Sequence, residues 1–74
     1  MNDEGYELLG HLIGRILDNA EEALADYKKD PNEFDSGRKF AYFEVLDSLK
    51  NDLMCYDLDL DRLGANYDPY VYSR

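Results

Sequence analysis

Seventy-four residues with 17 Asp and Glu against 8 Lys and Arg carry a net charge of −9, which allows one small domain and works against binding nucleic acid or anionic membrane, both held through Lys and Arg. Seven Tyr, three Phe and 45% hydrophobic residues argue for a folded core rather than disorder. The single cysteine, Cys55, cannot close an internal disulfide, so a reducing cytoplasm is expected, and no apolar run reaches the ~18 residues of a membrane span.

Met1-Asn2-Asp3-Glu4-Gly5 places acids where a helix N-terminus favours them. Apolar residues then fall at Tyr6, Leu9, Ile13, Ile16, Ala20, Ala23 and Tyr27, a 3-4 alternation that predicts a helix over about 4–29. Leu12, Leu17 and Leu24 widen the stripe, as in a bundle helix. Arg15, Asp18 and Glu22 take the opposite face, and Lys28 and Lys29 suit the negative end.

Asp30-Pro31-Asn32 stops this helix, because proline disfavours the helical conformation of the residue before it and lacks an N–H. So short a connection predicts an antiparallel return, capped by Asn32, Asp35 or Ser36. The second helix, expected over about 34–56, carries a seam of Tyr42, Leu46, Leu49, Leu53 and Tyr56. Phe40, Phe43 and Met54 project away from that seam, around Asp47 and Lys50. They need cover from the C-terminal segment or a second subunit, or they form a docking patch.

Asp59 can cap a short third helix over about 59–64, closed by a left-handed Gly64. The tail 65–74 holds Tyr67, Tyr70 and Tyr72 around Pro69 and is expected to lie extended along a helix. The fold class is therefore all-α: an antiparallel helical hairpin, a short third helix and an aromatic tail. A core this small supplies at most ~3–5 kcal/mol, so a homodimeric four-helix bundle is the expected support.

Candidate chemistry is sparse. Asp57, Asp59, Asp61 and Asp68 follow the calcium-loop spacing, but Arg62 stands where that loop needs glycine and Asp68 where it favours glutamate. Glu7, His11 and Asp18 line one side of helix one, a surface i,i+4 arrangement that becomes a metal site only in a larger bundle. Gly10 and Gly14 leave room for a close neighbour, expected to be a ring of Phe40 or Phe43 from a second subunit or a tail tyrosine. Cys55 and His11 sit on different helices with no third residue to orient a base. No catalytic, metal or cofactor-binding residue is assigned.

The run Phe34…Gly37-Arg38…Ala41-Tyr42-Phe43-Glu44-Val45-Leu46-Asp47…Leu49-Lys50 resembles short, uncharacterised bacterial helical proteins with an F-x-x-G-R-x-x-A-Y-Y-E-V-L-D-x-L-K core, some associated with mobile elements. Phe43 stands where that pattern has tyrosine. The resemblance implies a helical accessory protein and brings no catalytic residue.

The expected function is a non-enzymatic interaction or regulatory module that binds itself, and another protein, through Phe40, Phe43, Met54, Tyr67, Tyr70 and Tyr72. The alternative is an acidic decoy for a nucleic-acid-binding protein, through Asp and Glu of helix one. A metal-binding bundle comes third.

Overall fold

Asn2 starts the first helix: its Oδ1 accepts the Gly5 N–H at 2.7 Å, satisfying one of the donors that every helix start leaves free. In the computed structural model, which describes residues 1–74, helix α1 runs Asp3–Lys29, with Asp3 and Glu4 in its first turn and Lys28 and Lys29 in its last. Asn32 caps helix α2, Glu33–Cys55, by accepting the Asp35 N–H at 2.8 Å. Of the three capping candidates, Asn32 serves because it directly follows Pro31 in an extended conformation. Gly37 therefore lies inside α2, in open space.

The hairpin is followed by an arm, residues 57–74, that folds back along it. Helix α3, Leu60–Leu63, is capped by Asp59 and ended by Gly64 at φ 66°. Beyond it the expectation of an extended tail fails in part. Pro69–Tyr72 forms a 3₁₀ turn, with Asp68 accepting the Tyr70 N–H at 3.0 Å. Proline at the first helical position sacrifices no bond, so Asp68-Pro69 starts a turn here.

The seam of α2 is also shorter than expected. Tyr56, predicted to face inward, is 80% exposed, because α2 ends at Cys55. Asp57, at φ 57°, then swings the chain away. Leu58 N–H reaches Leu53 O at 3.1 Å and Asp57 N–H reaches Met54 O at 3.0 Å, the paired bonds of a Schellman ending. Leu53 and Leu58 meet in the core beneath it.

Only 11 of 74 residues are buried, so the core is thin. Ile13, Leu53, Leu63 and Ala65 form one cluster. Ala20, Leu24, Leu46 and Tyr72 form the other. Leu17 and Tyr67 touch both. The neighbour at Gly10 is not an aromatic ring: a Cβ there would meet the Leu63 backbone oxygen at 3.7 Å, while nothing lies within 4 Å of one at Gly14. No helix is long and apolar enough to cross a membrane.

Two backbone predictions follow from these positions. Asp57→Gly is expected to raise stability by roughly 1 kcal/mol by removing a left-handed non-glycine residue. Gly14→Ala should raise it by a similar amount, about 1 kcal/mol, through helix propensity. Urea unfolding midpoints measure both, and a fall for Gly14→Ala would mean that something packs against that glycine.

Candidate interaction surface

Two lysines of α2 point inward and hold the arm. Lys39 is only 4% exposed. Its Nζ donates to Tyr72 O at 2.8 Å and to Arg74 O at 2.5 Å, and it lies 5.1 Å from the centre of the Tyr27 ring. Lys50, eleven residues on and so on nearly the same line of the helix, donates to Tyr67 O at 2.6 Å. A buried ammonium without a carboxylate is tolerable only if its protons find acceptors, and no buried side-chain polar atom is left unpartnered. Lys39 escaped notice in the sequence, although it stands seven residues before Leu46 and so on the core line.

The arm answers with two phenols. Tyr67 donates its hydroxyl proton to Leu46 O at 2.7 Å, and Tyr72 donates to Glu21 Oε1 at 2.6 Å. Burial, with the nearby Asp47 charge, pushes the Tyr67 phenol up to about 12. Burial, then the hydrogen bond to anionic Glu21, raises that of Tyr72. Both tyrosines were expected on an interaction surface. Tyr72 is instead 3% exposed and Tyr67 half-buried, so both anchor the arm.

The remaining aromatic residues make a strip along the α2–arm seam. The Phe40 and Phe43 ring centres lie 5.3 Å apart, and those of Phe43 and Tyr70 5.4 Å apart. Tilted pairs at this spacing are favourable beyond their buried area. Phe43 is half-covered by the arm, whereas Phe40 is 47% and Tyr70 55% exposed. Met54, also exposed, lies about 16 Å farther along α2 than Phe43, so it does not join the strip.

The charges beside the strip are sorted by sign. Arg38 pairs with Asp26 at 2.8 Å, Arg62 with Asp3, and Arg74 with Asp68 at 3.4 Å. With Lys39 and Lys50 turned inward, every cation from residue 38 onward is engaged within the chain. Glu44 and Asp47 stand one turn beyond Phe40 and Phe43 on the same flank, so the strip is bordered by acid.

The other candidates are dispersed. Asp57 makes the left-handed turn, Asp59 caps α3, and Asp61 accepts a hydrogen bond from Asn66. Glu7 and His11 lie beside a shallow surface hollow with Glu4 and Leu8, and no group of three or more His, Cys, Asp or Glu is placed to share a metal ion. Cys55 is exposed. Comparison with protein-family models, curated proteins and solved structures returned no match.

The arm's anchors are directly testable. Lys39→Met leaves two carbonyls without their donor and should cost about 2–3 kcal/mol, with faster amide exchange across residues 65–74 as its local signature. The phenols add a pH dependence. Their raised values mean that the stability they contribute is complete below the ordinary 10.0 and is lost as pH climbs from there through about 12 for Tyr67. Helicity followed by circular dichroism should fall over that window. In Tyr67→Phe the fall should be smaller, with lower stability at neutral pH.

Proposed function

We propose that this chain is a non-enzymatic interaction module, with a hairpin that pairs with a second copy as a four-helix bundle. In this reading the strip of Phe40, Phe43 and Tyr70 receives a basic, apolar-faced helical segment of another protein. The observation that carries the reading is the acid-bordered strip of half-exposed rings. Its apolar centre offers the desolvated anchors on which binding energy concentrates. Glu44 and Asp47 select cations at the rim, where charge governs rate and specificity more than affinity. The inward turn of Lys39 and Lys50 supports the same choice of partner, because it leaves the strip's free charge negative.

Titration with a synthetic amphipathic helix bearing Leu on one face and Lys or Arg on the other tests the reading. Binding should weaken at least roughly tenfold in Phe40→Ser/Phe43→Ser, since interface aromatics commonly contribute more than ~1 kcal/mol each. It should persist, more weakly, when exposed charges are screened by high salt. Binding that salt abolishes and the double substitution leaves intact would favour the acidic decoy instead.

A further inference from the structure

The hairpin has a second apolar side, and the arm does not cover it. On α1 the contacts to the arm come from Tyr6, Gly10, Leu17 and Glu21. Projected at about 100° per residue, they all fall on one side of Ile13. On α2 the contacts come from Lys39, Phe43 and Lys50, all on one side of Leu46. Arg38 reaches across to Asp26 on the opposite side of both helices.

That opposite side carries Leu8, Leu12 and Val45, which are 62%, 46% and 50% exposed. It is hollowed by a groove of about 300 Å³ lined by Arg38, Ala41, Tyr42 and Val45. Phe34, 78% exposed, and Tyr56, 80% exposed, extend the same side at its two ends.

We infer that this side is where a second copy of the chain docks. The inference rests on the self-pairing part of the proposed function and assigns it a surface. Charge selects the occupant. Although the chain carries −9, the charged residues on this side are Arg15 and Arg38 against Asp26 and Asp52, two of each sign, one pair of which is already joined. Glu4 and Glu22 lie beyond it, on the outer surface of α1. Two copies can therefore meet here without bringing acid against acid, which neither the strip nor the outer surface of α1 permits. A two-fold contact requires a patch complementary to itself, and a neutral aliphatic stripe holding both signs meets that condition.

Size agrees. The molecule exposes 5093 Å², whereas a compact monomer of 8.6 kDa exposes about 4,700 Å². A flank 42 Å long and 15 to 19 Å wide encloses about 600–800 Å², close to the share that each partner gives to a standard interface. Placed at the middle of the stripe, beside Val45, the two-fold brings Phe34 level with the Leu8 end of the other copy and completes a bundle of four long helices.

Light scattering after gel filtration at tens-of-micromolar concentration tests the assignment. Wild type should run at twice the chain mass, as should Phe40→Ser/Phe43→Ser. Leu12→Glu/Val45→Glu should run at the chain mass with unchanged helicity, its self-association weakened at least roughly 100-fold by the carboxylates it would bury. In a Cys55→Ser background, oxidation should cross-link Val45→Cys and spare Asn51→Cys on the outer flank. A monomeric wild type, or a double-glutamate variant that remains dimeric, overturns the inference. Because Leu12 and Val45 lie away from the strip, the monomeric variant should still bind the basic helix. Loss of that binding with dimerisation intact would count against the strip alone.

Discussion

The fold depends on two ammonium groups pointed the wrong way for a surface. Lys39 and Lys50 extend from α2 beneath the arm and take the carbonyls of Tyr72, Arg74 and Tyr67. A two-helix hairpin of this size buries too little surface to hold itself, so a third layer is needed. The arm is too short and too broken by Pro69 to supply a long helix. It compensates with ring area, and with polar bonds to groups that cannot be left unpaired once buried. Tyr67 and Tyr72 close the arrangement from the other side, each phenol donating to a group on the hairpin.

That arrangement also sets the outer charge. Had the lysines of α2 faced water, the seam beside Phe40, Phe43 and Tyr70 would carry both signs. With Lys39 and Lys50 turned inward and Arg38 drawn to Asp26, Glu44 and Asp47 are left as the flanking charges. Structural support and partner preference thus have one origin. On the far side of the hairpin nothing displaces the balance between Arg15, Arg38, Asp26 and Asp52, and that side stays neutral.

Sequence periodicity reached the long elements because each is specified locally. The 3-4 alternation of α1, the Asn32 cap after Pro31 and the Asp59–Gly64 frame of α3 are each legible within a few residues. The arm was legible only as an aromatic segment in need of a surface. Its course depends on Lys39 and Lys50, whose sequence signal is no more than a core-line position filled by a residue type usually exposed. Asp57 was hidden for a different reason: a left-handed residue is read most readily as glycine, and aspartate adopts the same conformation here. Tyr56 followed from that omission, since a seam extended one residue past the true helix end points inward on paper and outward in space. Tyr67 and Tyr72 were recognised as needing contact, but their contacts are internal.

A hairpin of two amphipathic helices has two sides to cover, and this chain has one arm. Helix α2 shows the consequence most plainly. Phe43 and Lys50 lean toward the arm, Leu46 and Leu53 lie in the core, and Val45 and Ala41 lean the opposite way, so three sectors of one helix are apolar or committed to packing. A helix that met only one neighbour would carry charge on the third sector. Val45 and Ala41, together with Leu8 and Leu12 across the groove, occupy a sector where a chain of −9 had acids to spare and placed few. An aliphatic stripe kept free of surplus acid on so acidic a chain is costly for a monomer and suited to contact with its own image, which is the physical ground for assigning the second side to a second copy and the acidic strip to a different, basic partner.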